Sequence, residues 1–224
     1  MSLNLKYFKK NKLISLDNFL QDVLYNDNYG YYSKKNPFGA DGDFITAPDI
    51  SVLFSEMIAL WIISFWEKLD CPKKFNLIEL GAGNGKMMSV LVNTFNKFPR
   101  FKNSCKINIL EKSKLLKKIQ KTNNKGTKIK WLNNLNELSN FPCIFIANEF
   151  FDALPIKQFF KKRKDWVERF VDLKEIHKAK FKEYMTDIKK IEKNLNFEIS
   201  KNQDIIEYSP VSFEYLKDIC KIIK

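Results

Sequence analysis

The sequence predicts an α/β fold: a parallel sheet wound with helices over residues 71–224. An N-terminal helical lid region over residues 1–70 precedes it, and a β-hairpin is inserted near residues 156–172. Three observations predict this. After Pro72, short apolar runs alternate with amphipathic segments, the order of parallel strands joined by right-handed helical crossovers. One apolar run ends in three glycines at alternate positions, Gly81, Gly83 and Gly85, and a helical pattern follows. Finally, 45% of the 224 residues are hydrophobic and 14% are aromatic, enough for a core and too much for a disordered chain.

From the N-terminus, residues 15–26 read as a short amphipathic helix, with Leu16, Phe19, Leu20, Val23 and Leu24 at helical spacing behind Ser15 as its cap. Residues 29–44 are too rich in Gly and Pro for a helix and too aromatic for a solvated linker. Thr46 to Ser51 then opens a strong helix, in which Ile50, Leu53, Phe54, Met57, Ile58, Trp61, Ile62 and Phe65 form a broad apolar stripe. Strands are expected at residues 75–80, 106–110, 129–132 and 143–147, with helices at 86–96 and 113–120 between them. Two β-rich runs, Ile156 to Phe160 and Trp166 to Val171, flank a charged turn and form the hairpin. Residues 174–201 are Lys-rich and of mixed period, and a last helix is expected at about 211–223.

Composition limits the function. The net charge is +13, which invites a nucleic-acid reading, yet only Arg100, Arg163 and Arg169 among the 39 basic residues are arginine. Arginine's planar fork is what base and phosphate recognition favours, so nucleic acid is not the expected partner. Residues 1–70 carry 7 basic and 9 acidic groups, and the rest carries 32 and 17, so the later part attracts anions in general. The longest apolar run, residues 57–66, is about half the ~20 residues that a membrane-spanning helix needs, so no membrane span is expected. The N-terminus lacks an apolar signal segment with a small-residue cleavage site. A cytoplasmic location is therefore expected. Cys71, Cys105, Cys143 and Cys220 form no CxxC pair, so they read as reduced thiols and no metal site is expected. The single histidine, His177, stands in the Lys-rich segment, which argues against His-based hydrolysis.

The chemistry concentrates at three places. Glu79-Leu80-Gly81-Ala82-Gly83-Asn84-Gly85 carries a strand into a helix, a turn in which the backbone can approach a ligand closely and aim helical N–H groups at an anion. A dinucleotide fingerprint would place its third glycine at position 86, where this chain has Lys86. The form Glu-x-Gly-x-Gly-x-Gly instead resembles the first motif of class I S-adenosylmethionine (SAM)-dependent methyltransferases, with Glu79 suited to an ammonium group. Glu111, at the end of the next strand, stands where nucleoside-binding α/β folds place an acid that accepts two hydrogen bonds from ribose hydroxyls. Third, the strand at 143–147 delivers Asn148, Glu149, Phe150, Phe151 and Asp152 to its C-terminal end. Carboxylates there can hold a cationic acceptor, and an amide can accept a hydrogen bond from its nitrogen. Aromatic faces tolerate a sulfonium.

Five motifs then occur in a family's order: Gly39-x-x-Gly42-Asp43-Phe44-x-Thr46-Ala47-Pro48-Asp49-Ile50-Ser51, the glycine loop, Asn148 to Pro155, Trp166-x-Glu168-Arg169, and Glu207-Tyr208-Ser209-Pro210. From about Leu16 to Pro210 the chain resembles the MidA family, which includes a mitochondrial arginine methyltransferase that assists complex I assembly. The resemblance implies a Rossmann-like class I methyltransferase sheet and SAM as cofactor. It also implies N-methylation of a protein arginine, with a respiratory complex I core subunit as the substrate in eukaryotic members and a mitochondrial location if the source is eukaryotic. Glu79, Gly81, Gly83, Gly85 and Glu111 are expected to hold the cofactor, with Asp49 and Ser51 closing over it. Asn148, Glu149 and Asp152 are expected on the catalytic, acceptor side.

Two departures stand out. The family usually has Gly where this chain has Ser55, and its members run well beyond residue 224. A sheet incomplete at its C-terminus is therefore expected, with the strand at 143–147 left as an apolar edge. Two other classes of function stay open at this level: a non-catalytic SAM-fold assembly factor, and a small-molecule or RNA methyltransferase.

Overall fold

The computed structural model describes residues 13–39, 42–173 and 179–223; His177 lies outside the described residues. In chain order the elements are β1 (Leu13–Ser15), α1 (Leu16–Tyr25), α2 (Tyr31–Lys34), α3 (Ala47–Ile50), α4 (Val52–Lys68), β2 (Phe75–Leu80), α5 (Lys86–Phe95), α6 (Pro99–Ser104) and β3 (Cys105–Leu110). They continue with α7 (Lys114–Asn123), β4 (Ile129–Leu132), β5 (Cys143–Ile146), β6 (Lys157–Lys162), β7 (Asp165–Asp172), β8 (Lys180–Thr186), α8 (Ile188–Leu195), β9 (Ile205–Tyr208) and α9 (Pro210–Ile222). The mixed-period segment after residue 174 thus contains a strand and a helix that periodicity did not resolve.

Packing divides the chain into two compact units. Among the described residues, one holds those within 25–153 and 215–223, and the other those within 13–24 and 154–214. These boundaries differ from the expected division at residue 70. The reason is that α1 buries Leu16 beside Val171 and Leu173 of the second unit, with Phe19 and Leu20 packed around them.

In the first unit, four parallel strands lie in the order β4-β3-β2-β5. The glycine-bearing strand β2 pairs with β3 on one side, Leu77 opposite Ile107, and with β5 on the other, Leu77 opposite Ile144. The chain therefore reverses its direction of winding beside β2, and such a switch point opens a crevice at the C-terminal strand ends. Every residue of β2 is buried. One face packs Phe75 and Leu77 against Ala59, Ile62 and Trp66 of α4 and Leu91 and Phe95 of α5. The other packs Ile78 and Leu80 with Leu110 and Leu132, covered by Tyr215, Ile219 and Ile222 of α9. Parallel sheets need both faces covered, and α9 supplies the second cover. Among the described residues, β5 pairs with β2 alone and is an edge strand.

The helix expected after Thr46 is broken at Ser51, whose backbone is extended (φ −140°, ψ 121°). Its buried side also differs from the stripe. Ile62 is buried with Ser55, Ala59, Ile63 and Trp66, whereas Ile50, Leu53, Met57, Trp61 and Phe65 are exposed. The helix is apolar nearly all round, so periodicity selects no face. The small residues Ser55 and Ala59 decide it, because they let α5 approach closely.

The second unit is an antiparallel sheet, β1-β7-β6-β9, with β8 also paired to β7. The expected hairpin is its centre, Lys162 opposite Asp165. Phe159, Trp166, Ile188 and Ile206 form its core. The ammonium of Lys157 bridges Glu168 at 2.7 Å and Asp17 at 3.1 Å.

Candidate functional site

The glycine loop follows from the strand that carries it. Gly81, Gly83 and Gly85 all have positive φ, +66°, +53° and +80°, and an L side chain enters that region at a cost of about 1–2 kcal/mol. Space decides what each glycine does. A Cβ on Gly81 would lie 2.6 Å from the Phe150 ring. On Gly85 it would lie 2.9 Å from the Asn124 amide and 3.1 Å from the Gln120 backbone. Gly85 therefore serves the packing of the loop on α7, whereas Gly81 and Gly83 border a cavity of about 240 Å³.

Glu111 and Asp152 also line this cavity. A smaller one of about 40 Å³, sharing Gly81, Gly83 and Glu149, reaches Glu79 and Asn148. Glu79, Gly81, Gly83, Glu111, Asn148, Glu149 and Asp152 are thus brought together. Asp49, Ser51 and Gly85 line neither cavity. Asp49 instead fastens the loop: its Oδ1 accepts from the Asn84 side chain at 3.2 Å, and its backbone carbonyl accepts from the Lys86 ammonium at 3.1 Å. Ser51 sits at the break between α3 and α4 without a side-chain capping bond.

Glu79 is 2% exposed and its Oε2 is buried without a partner. Burial pushes its carboxyl up to about 8, and the neighbouring Glu111 adds to this. Glu111 is buried as well, and burial raises it, opposed by donors from Ser113 and Gln120. Ser113 N–H reaches its Oε1 at 2.9 Å, and the Gln120 amide reaches Oε2 at 3.0 Å. No Lys, Arg or His is among the described residues lining either cavity. Four carboxyl groups over the two cavities without a cation, in a chain of net charge +13, make a site for a cationic or hydroxyl-rich ligand and not for a pyrophosphate.

The loop after β5 is not helical, so Asn148 caps nothing there. Glu149 takes a left-handed backbone (φ +47°), uncommon for a non-glycine residue. Phe150 packs edge-on against Phe151 and Tyr215, at 5.2 Å from each.

Sequence reading missed the aromatic wall. Tyr25, Tyr32, Phe38, Phe44 and Thr46 line the larger cavity. Tyr25 stacks on Tyr32 at 5.3 Å and donates to the Ala153 carbonyl at 2.7 Å. Tyr32 stacks on Phe38 at 6.2 Å, and its carbonyl accepts from Ser113 Oγ at 2.7 Å. Burial holds both tyrosine hydroxyls above their ordinary range, with Asp152 contributing at each. The available signal was the aromatic density of residues 29–44 in a stretch without helical period. The second omission is a row of amides at the end of α7 and just after it: Gln120, Asn123 and Asn124 donate to the carbonyls of Gly83, Asn84 and Gly85 at 2.9, 2.8 and 3.1 Å. Three amides in a Lys-rich helix were the only sign.

Residues 57–224 match the family of S-adenosyl-L-methionine-dependent methyltransferases. The chain is similar to the mitochondrial protein arginine methyltransferase NDUFAF7 of Xenopus laevis, 32% identical over 184 residues, 71% of this chain and 42% of the frog protein. The human protein of that name is 30% identical over the same share of both. The chain therefore spans less than half the length of these relatives. In fold it resembles a Burkholderia thailandensis protein crystallised with S-adenosyl-homocysteine, with a TM-score of 0.77, 23% identity, and coverage of 94% of this chain and 55% of the other.

Proposed function

The chain belongs to the S-adenosyl-L-methionine-dependent methyltransferase family, and on that premise we propose that it transfers a methyl group from SAM to a guanidinium nitrogen of a protein arginine. One observation carries the reading: the buried, unpartnered Glu79 Oε2, in a pair of adjoining cavities that together present four carboxyl groups and no cation among the described residues. The donor set fits the cofactor. Glu79 would accept from its ammonium, Glu111 from its ribose hydroxyls, and the Gly81 and Gly83 backbone borders the space that it would fill. Bound there, the cofactor supplies a methyl group made electrophilic by a sulfonium.

The chain's own residues do the rest by placement and charge. Asp152 and Glu149 border the same cavity and would hold a guanidinium, with the Asn148 amide accepting a hydrogen bond from its nitrogen. Tyr25, Tyr32, Phe38 and Phe44 exclude water and face the positive charge with π-surface. Asp49 and Gly85 act through the loop they brace, and Ser51 has no contact that assigns it a part.

The relatives named as protein arginine methyltransferases support a protein acceptor. The MidA resemblance extends it to a respiratory complex I subunit, which would be met in the cytoplasm of a bacterium or in the mitochondrion of a eukaryote. The test is calorimetric titration with SAM, followed by transfer of labelled methyl to an arginine-bearing peptide of that subunit, with RNA and free arginine alongside. Incorporation into the peptide alone is expected. Binding without incorporation anywhere would select the assembly-factor reading, and incorporation into RNA or free arginine would overturn the protein acceptor.

A further inference from the structure

Gln120 is 0% exposed, yet it is an amide in the middle of a Lys-rich helix. Its Nε2 donates to the Gly83 carbonyl at 2.9 Å and to Glu111 Oε2 at 3.0 Å, and its Oε1 accepts from the Trp131 indole N–H at 3.0 Å. Both partners of Nε2 are acceptors and the partner of Oε1 is a donor, so the amide fits in one orientation only. Resting on the methyl-transfer reading, we infer that Gln120 is a positioning residue that sets the glycine loop and the ribose-binding carboxylate in register, so that both halves of one cofactor are met at once. Its two N–H groups are fully used by these partners. Ser113 N–H holds the other Glu111 oxygen and the Lys112 N–H also donates to this carboxyl group, so the fold fixes the direction in which its remaining lone pair points. Trp131 keeps the amide from turning over. Simple core filling would ask for an apolar side chain here, because a buried amide is tolerated only when its hydrogen bonds are made.

The test uses the whole chain, with S-adenosyl-homocysteine and adenosine as calorimetric probes. Gln120→Met is expected to weaken both by about tenfold, the usual effect of losing a hydrogen bond to a charged group. Gln120→Glu gives a readout that a structural role would not. The new carboxyl group would face Glu111 and the Gly83 carbonyl, so near pH 6 one shared proton can replace the N–H lost toward Glu111 while the Gly83 carbonyl stays unpaired, and binding of adenosine, which reads the ribose carboxylate, stays within about threefold of wild type. Near pH 9 two like charges face each other, and binding falls by a further factor of about ten. The other groups acting on Glu111 are Glu79, Tyr25 and the Lys117 ammonium, together with the backbone N–H of Lys112. All are present in the wild type, whose own adenosine profile therefore serves as the baseline. Should Gln120→Met not fold, Trp131→Phe frees the amide to rotate and is expected to weaken S-adenosyl-homocysteine by about threefold. Folded variants that bind within about twofold of wild type, with an unchanged pH profile, overturn the inference. A wild-type chain that binds neither probe overturns the methyl-transfer reading and this inference with it.

Discussion

Glu79 and Glu149 show how single residues in the cavity work against the stability of the unliganded chain. The Glu79 carboxyl, at about 8 in the folded state, is raised above its unfolded value near 4.5. The folded chain therefore holds a proton that the unfolded chain releases, and stability falls as pH rises from about 4.5 to 8. Glu79→Gln should flatten that fall and gain on the order of a few kcal/mol at pH 8, measured by urea unfolding near pH 5 and pH 8, while losing most SAM affinity. A variant with the wild-type pH dependence would show that the carboxyl ionises normally. Glu149, at φ +47°, holds a backbone conformation that glycine adopts freely. Glu149→Gly is expected to stabilise the fold by about 1 kcal/mol and to raise the KM for the acceptor. Unchanged stability with unchanged KM would remove Glu149 from the acceptor side.

The elements around the cavity are tuned by small side chains. On α4, Ser55 is fully buried and its hydroxyl has no partner. It lies on the buried side of α4 with Ala59, Ile62, Ile63 and Trp66. Ser55→Ala keeps the size, removes the unsatisfied oxygen and favours the helix, so a gain of about 1–2 kcal/mol is expected. A lower melting temperature would mean that the hydroxyl has a partner in solution. At the start of α5 the opposite holds. Gly85→Ala pushes a Cβ to 2.9 Å from Asn124 in a left-handed conformation, and a loss of about 2 kcal/mol is expected. Because Gly85 borders neither cavity, the folded fraction should still bind S-adenosyl-homocysteine, although less tightly than wild type.

Over the whole molecule, charge and site disagree in sign. A chain of net charge +13 attracts nucleic acid through counterion release, an interaction that salt erases. The cavity is lined by carboxylates with no cation among the described residues, so its ligand does not depend on that field. Duplex DNA binding is therefore expected to weaken by about 10³-fold between 50 and 200 mM salt. S-adenosyl-homocysteine affinity should change by less than about twofold, since buried pairs are poorly screened. DNA binding that persisted at high salt with a sequence preference would point back to a nucleic-acid substrate. Leu53, Met57 and Trp61 make an exposed apolar side of α4, and among the described residues no helix is long and apolar enough to cross a membrane.

By itself the sequence determined the parallel sheet from Phe75 to Ile146, the hairpin and its turn, and the placement of Glu79, Glu111, Asn148, Glu149 and Asp152 at the C-terminal strand ends. Those are consequences of local pattern, since strand period, glycine spacing and strand-end acids are each encoded within a few residues of the chain. Tertiary structure alone decided three things. β1 pairs with β7, more than 150 residues later in the chain, which puts α1 up to Leu24 in the unit of that sheet. Of the many apolar residues on α4, the side bearing Ser55 and Ala59 is buried, because close packing follows the shape of the partner and not the period of the helix. Gln120, Asn124, Tyr25 and Tyr32 come to the glycine loop and the cavity only through the fold. A buried amide or aromatic ring carries no mark in sequence of the carbonyl or cavity it will meet, and only the folded chain brings the two together.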